Sequence, residues 1–202
     1  MMSKDGHLEV IAELLFEFGV LRREDRKHLR MLLKFDPTDN IASHTARVAF
    51  IGMIIAMHEG LDMGKVVSMC LIHDFPEVRS GDHNWVAKRY VEVHEEEIVA
   101  EQFGAEGLEG LLVLAEEYGA RETPEARAAK DADLIDELLL IKEHAHGGNL
   151  EAQHWLSDDG GKDRKADRLD MLHLPFSKKI MEVVYTMNPT DWWKGLWTSK
   201  NR

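Results

Sequence analysis

Apolar residues recur along most of this chain at three- and four-residue spacing, the period of helices that bury one face. Leu8, Ile11, Leu14, Leu15 and Phe18 form such a stripe and predict a helix over residues 5–19, ended by Gly19. A short basic helix is expected over 23–34, before Pro37 and the DPTDN turn break the chain. Ile41, Val48, Ile51, Ile54 and Ile55 predict a strong helix over 41–58. After the HEGLDMG turn, residues 62–73 are apolar nearly all round, which marks a central helix. Residues 84–103 read as a helix with a charged face, and 106–118 as another closed by Gly119. TPEA at 123–126 is a helix start, with Thr123 as N-cap and Pro124 at the first helical position. That helix should run to about His146, where Gly147 and Gly148 end it. A short helix over 149–156, a polar SDDGGKDRKAD loop and at least one helix within 166–187 complete the pattern. No segment alternates convincingly as a strand would, so the expected fold class is all-α. No linker splits the core: a single domain over 1–202 is expected, its core about 25–146, with a C-terminal helical extension over 147–202.

Composition narrows the function classes. Hydrophobic residues make up 44% of the 202, enough for a sizeable core. Cys70 is the one cysteine and sits in the apolar run VVSMCLI, which excludes an internal disulfide framework and a cysteine-rich zinc site. The N-terminal stretch MMSKDGHLEVIAELLFEF carries acidic residues and does not read as a signal peptide. No run of 18 apolar residues occurs, so no membrane span and a cytoplasmic protein are expected. A formal net charge of −12 argues against sequence-independent binding to a nucleic-acid polymer, although a metal and local cations can hold a small anion in an acidic protein.

Candidate chemistry gathers on three segments. His44 shares a helix face with Val48, Ile51 and Ile55, and His73 shares one with Met69 and Val66. Each is therefore interior, where a polar group needs a partner. Asp74 follows His73 at the end of an apolar helix, a position whose dipole favours a cation. The segment AAKDADLIDELL then lines up Asp131, Asp133 and Asp136 among Ala and Leu. Two imidazoles and two carboxylates suit a divalent transition metal.

His44, then His73-Asp74, then Asp133 resembles the H…HD…D signature of the HD-domain metal-dependent phosphohydrolases. HDFPEVRSGD is similar to the HDxxExxxGD pattern of the 5′-nucleotidase branch that acts on deoxyribonucleoside monophosphates, and DNIASHTARVA and KDADLIDELL are similar to its first-histidine and last-aspartate segments. The resemblance covers roughly residues 25–146. It implies a helical bundle around one divalent metal held by His44, His73, Asp74 and Asp133, the ion being Mn, Co, Fe, Ni or Zn, with Mg as an alternative. Asp131 is the rival to Asp133, and the K-D-x-D pattern favours the latter. The resemblance makes Glu77 the group that orients or deprotonates water, and has Asp82 hold the sugar or help order the site. The branch holds phosphate with an arginine upstream of the first histidine. Arg30 is the nearest here by counting, with Lys34 as substitute, and Lys88 is a further phosphate candidate. Ser43 stands where the branch has Glu.

The implied reaction is hydrolysis of a nucleoside 5′-monophosphate to nucleoside and phosphate. Hydrolysis of nucleoside di- or triphosphates or an alarmone, and a non-catalytic nucleotide-binding HD domain, are the alternatives. A homodimer is expected from the resemblance and from the tail DWWKGLW, whose tryptophans should pack on the body or on a partner subunit. His83 is expected at the surface, and His144 and His146 beside a helix C-terminus.

Overall fold

The computed structural model describes residues 4–157, 163–196 and 200. Its helices are α1 (Lys4–Phe18), α2 (Ile41–Glu59), α3 (Met63–Ile72), α4 (Glu77–Ser80), α5 (Glu95–Phe103), α6 (Glu109–Ala120), α7 (Pro124–His146), α8 (Leu150–Leu156), α9 (Arg164–Met171) and α10 (Pro175–Thr186). Among the described residues there is no strand, only an isolated antiparallel bridge between Asp25 and Asn40. The fold is an all-α bundle. α2, α3 and α7 pack on one another at its centre, α6 lies on α3 and α7, α10 on α7 and α2, and α8 on α7.

Local chemistry sets the central helices. The Asn40 side chain accepts from the Ser43 amide at 3.0 Å while Ser43 Oγ accepts from the Asn40 amide at 3.2 Å, a reciprocal cap that starts α2. Ser43 is thus committed to helix initiation, which accounts for a small hydroxyl at that position. Asp62 caps α3 and Thr123 caps α7, each accepting from an amide three residues on. By length and composition α2 could cross a membrane. Here it lies in the middle of the bundle, with Val48, Gly52, Ile55 and Ala56 buried.

The three central helices approach closely because small residues line their contact. Ala126, Ala128, Ala129 and Ala132 of α7 are fully buried. A Cβ on Gly52 would lie 2.6 Å from Cys70 Sγ and 3.1 Å from Val66 Cγ1, so α2 meets α3 at a point where no side chain fits. Cys70 is a core residue. Burial, with Asp133 nearby, pushes its thiol up to about 12.

Two expected elements differ. Residues 23–34 form no continuous helix. Two 3-10 turns, Gly19–Arg23 and Lys27–Arg30, flank extended backbone at Glu24 and Arg26. Long-range bonds from the Arg26 amide to the Asp39 carbonyl (3.2 Å) and from the Ile41 amide to the Glu24 carbonyl (3.0 Å) outweigh local helix preference. Residues 84–94 are a loop with one 3-10 turn, and α5 begins only at Glu95. Asn84 Oδ1 draws in the amides of Val86 and Ala87, and Trp85 sits edge-on to Trp155 of α8 at 5.0 Å. The 166–187 segment, expected to hold at least one helix, holds α10 and most of α9, separated where Leu172 is extended and Pro175 opens α10.

Two apolar features also differ. The inward face of α1 is Val10, Ile11 and Leu14, whereas Leu8 and Leu15 of the expected stripe are 63% and 69% exposed. Trp192 and Trp193 pack edge to face on each other at 4.8 Å and remain exposed, so these two do not bury against the body. Trp197 lies outside the described residues.

Gly52→Ala should destabilise the protein by about 1–3 kcal/mol, as overpacking does. Chemical denaturation measures it, and Cys70→Ala in the same chain should recover part of the loss, since Sγ is the nearest clashing atom.

Candidate metal centre

His44 projects from α2, and His73 is the capping residue at the end of α3. Their Nε2 atoms face each other at 3.3 Å in the buried interior. What lies behind each ring fixes its proton. His73 Nδ1 is 2.8 Å from the Cys70 carbonyl, which can only accept, so Nδ1–H donates. His44 Nδ1 is 2.6 Å from Asp136 Oδ2, and it donates likewise. In the neutral rings both Nε2 lone pairs therefore point at one another. Two carboxylates join them: Asp74 Oδ2 is 3.3 Å from each Nε2, and Asp133 Oδ1 is 3.3 Å from His44 Nε2 and 4.0 Å from His73 Nε2.

Four electron-pair donors converging without a hydrogen between them repel unless a proton or a cation lies at their centre. The spacing suits a metal ion, since ligands about 2.1 Å from a common centre stand roughly 3–3.5 Å apart. Donor atoms of His44, His73 and Asp133 all lie within 4.8 Å of one another. A carboxylate–histidine–metal arrangement also needs the outer hydrogen bonds found here. Electrostatics agree. Burial alone would push His44 down, but Asp133, Asp136 and Asp74 hold it well above the usual imidazole range. Burial alone would raise Asp74, yet His73, His44 and Arg26 hold it well below the usual carboxylate range. Burial opposes ionisation of Asp133 too, and His44, then Lys130 and His73, overcome it. The cluster is built to keep positive charge at its centre.

A cavity of about 330 Å³ opens on this cluster. Its wall includes Arg26, Glu77, Asp82, Lys88, Arg121 and Lys130. Arg26, delivered by the extended backbone before α2, donates from Nη1 to Asp74 Oδ2 at 2.9 Å. Lys130 donates to Asp133 Oδ2 at 2.7 Å. Glu77 opens α4, one turn beyond Asp74; its Oε2 is buried and has no hydrogen-bond partner among the described residues. Burial, then the Asp74 and Asp82 carboxylates, push it up to about 9. Asp82 Oδ2 accepts from the Lys27 amide at 2.5 Å, so it fastens the segment that carries Arg26. Lys88 lines the cavity from the 3-10 turn Ala87–Arg89. His83 is a partly buried wall residue of the same cavity, not a surface group.

The structure does not bring Arg30 or Lys34 here. Arg30 is exposed, at the end of a 3-10 turn that replaces the expected helix. Lys34 reaches His144 Nδ1 at 3.1 Å and Asp36 at 3.4 Å, beside a separate cavity of about 320 Å³. Both were singled out by counting residues back from His44 to the arginine of the resembled branch. The structure places Arg26, four positions before Arg30, beside the cluster instead. Asp131 is fully buried and accepts from the His173 and Leu174 amides and from His173 Nδ1, each at 2.9 Å. It anchors the chain entering α10, while Asp133 faces the cluster. Asp136 was visible in the sequence as a third aspartate, but its bond to His44 was not.

The family profile of the HD domain matches residues 18–171. No curated protein matches the chain. Similar solved structures include a conserved hypothetical protein from Pyrococcus furiosus, 25% identical with a TM-score of 0.68, covering 87% of this chain and 99% of that one. A protein from Pyrococcus horikoshii is 22% identical, with a TM-score of 0.69 and coverage of 86% and 98%. A predicted metal-dependent phosphohydrolase from Magnetospirillum magnetotacticum is 22% identical, with a TM-score of 0.62 and coverage of 89% and 93%. These likenesses are of fold.

The two neighbouring aspartates should separate in experiment. Asp131→Asn is expected to lose about 1–3 kcal/mol of stability and keep metal uptake, whereas Asp133→Asn should abolish uptake in a protein that still folds. Denaturation and metal analysis of the purified variants measure both. Asp136→Asn should weaken metal binding about 10–100-fold, as loss of an outer partner of a ligating histidine does; calorimetric titration of metal-free protein with Mn²⁺ reads it.

Proposed function

The chain belongs to the HD-domain family, and from that premise we propose that it is a metal-dependent phosphohydrolase cleaving a phosphomonoester, the 5′-phosphate of a nucleoside or deoxynucleoside monophosphate. The observation that carries the reading is the convergence of two imidazole lone pairs and two carboxylates beside a cavity whose wall holds Glu77 with an unpartnered buried oxygen. The description of the Magnetospirillum magnetotacticum neighbour as a predicted metal-dependent phosphohydrolase supports the same class.

His44, His73, Asp74 and Asp133 would hold the ion. A bound divalent ion would polarise the phosphoryl group and acidify water beside it. Glu77 is the proton acceptor: its carboxyl lies in the wall with one oxygen uncommitted. Its raised affinity for a proton comes from burial and from Asp74 and Asp82. A divalent ion held at the cluster would offset the Asp74 contribution and would return Glu77 toward the range in which it accepts a proton at neutral pH. Arg26 holds Asp74 in place and presents guanidinium charge where negative charge develops on the phosphoryl oxygens; its Nε is buried and unpartnered. Lys88 faces the same cavity and can contact the phosphate. Asp82 keeps Arg26 in register through the Lys27 amide.

The test is phosphate release from a panel of nucleoside monophosphates supplied with Mn²⁺, Co²⁺ or Mg²⁺. Wild type should release phosphate, and Asp74→Ala should fall to background. Glu77→Gln should lose roughly 10²–10⁴-fold in kcat while still binding metal, the range typical of a general base. A wild-type protein that holds no transition metal and releases no phosphate from any monophosphate would end this reading.

A further inference from the structure

The four cations around the cavity are not equivalent. Arg26 is paired with Asp74 and Lys130 with Asp133. Among the described residues, no carboxylate lies within ion-pair distance of the Lys88 ammonium or the Arg121 guanidinium. Arg121 is the more constrained of the two. It ends α6, and its amide bonds the Glu117 carbonyl. Its guanidinium lies over the Tyr118 ring, 3.2 Å from the centroid, and donates to the Tyr118 carbonyl. Tyr118 is buried and stands edge-on to the His73 ring at 5.7 Å. A chain of ring contacts therefore runs from the cluster to the cavity wall: His73, Tyr118, Arg121.

The backbone makes this arginine unusual. Arg121 has φ 57°, in the left-handed region where a side chain is disfavoured and glycine is the usual helix cap. α2 ends the conventional way, on Gly60 at φ 69°. Left-handed backbone alone assigns nothing, because Leu33 has φ 52° and is simply exposed. What separates Arg121 is the combination of a disfavoured backbone, a guanidinium placed over a buried ring, and a place in the cavity wall with no carboxylate partner among the described residues.

We infer that Arg121 is a substrate-binding residue that takes the phosphate group from the C-terminal end of α6, its guanidinium pre-positioned by Tyr118. This rests on the phosphomonoester reading above and adds to it a residue outside the HD…D pattern. A planar guanidinium offers paired donors to a phosphate, and holding it on an aromatic face removes conformational freedom before binding. The left-handed cap is the stability given up to aim it, as strained residues at ligand sites often are.

Glycine makes the test discriminating, because it removes the side chain and relieves the backbone together. Inorganic phosphate is titrated calorimetrically onto metal-loaded wild type, Arg121→Gly, Arg121→Lys and Leu33→Gly. Arg121→Gly should weaken phosphate binding about 10–100-fold, the worth of a charge-assisted contact, with a melting temperature no lower than wild type. Arg121→Lys should recover part of the affinity. Leu33→Gly should leave phosphate affinity unchanged. Wild-type affinity in Arg121→Gly, or no phosphate binding by metal-loaded wild type, overturns the inference. Failure of the proposed reaction reads differently: phosphate binds and Arg121→Gly weakens it, yet no nucleoside monophosphate is turned over.

Discussion

Two imidazole nitrogens held face to face at 3.3 Å are the constraint on which the rest of this molecule depends. Neither ring is free to turn. One is held by the Cys70 carbonyl of its own helix and the other by Asp136 of α7, so both present a lone pair inward. Such an arrangement persists only if the helices behind it are rigid and close. Gly52 and the four buried alanines of α7 supply that closeness, and the caps at Asn40, Asp62 and Thr123 fix where each central helix begins. Arg47 adds a further layer: its Nε bonds Asp136 and its Nη1 bonds Glu143 at 2.7 Å, so the carboxylate behind His44 is itself held. Packing, capping and outer hydrogen bonds thus end in the orientation of two rings.

The sequence was most legible where a residue's role and its local pattern coincide. α2, α3 and α7 bury one face each and carry strong caps, so periodicity found them. The cluster residues stood out because a polar pair closing an apolar helix, and aspartates among alanines, need a reason to be there. Legibility failed where partners are distant in the chain. Residues 23–34 read as a short basic helix, but the backbone of Glu24, Arg26 and Lys27 within them is claimed by Ile41, Asp39 and Asp82. Arg26 reaches the cluster because that segment is not helical, a path that counting residues back from His44 to Arg30 and Lys34 does not reveal.

Asp131 and Asp133 make the same point within one helix. Two positions on a helix are rotated by about 200°, so the two side chains must face opposite ways. Pattern alone requires that they differ in role. It does not say which faces the cluster, because the groups that occupy Asp131, the amides of His173 and Leu174, lie more than forty positions further along the chain. The extension beyond residue 146 is therefore tied into the core through the helix that supplies a cluster residue. The HD-domain match, which continues to residue 171, agrees with that continuity.

A chain with a net charge of −12 is an unpromising host for an anion, and the cluster adds carboxylates of its own. The placement of charge resolves this. Asp74 and Asp133 each have a cation attached, Arg26 and Lys130, so neither presents an unbalanced charge to the cavity. Much of the acidic excess is elsewhere, as in Glu95, Glu96 and Glu97, exposed in the first turn of α5 where a helix dipole favours them. With the cluster carboxylates balanced in this way, a divalent ion held there would add positive charge that faces the cavity. Lys88 and Arg121 then supply cations on its wall that have no carboxylate partner among the described residues. Near the cluster, local pairing decides the field. The formal total governs only the long-range behaviour that salt screens within about 10 Å.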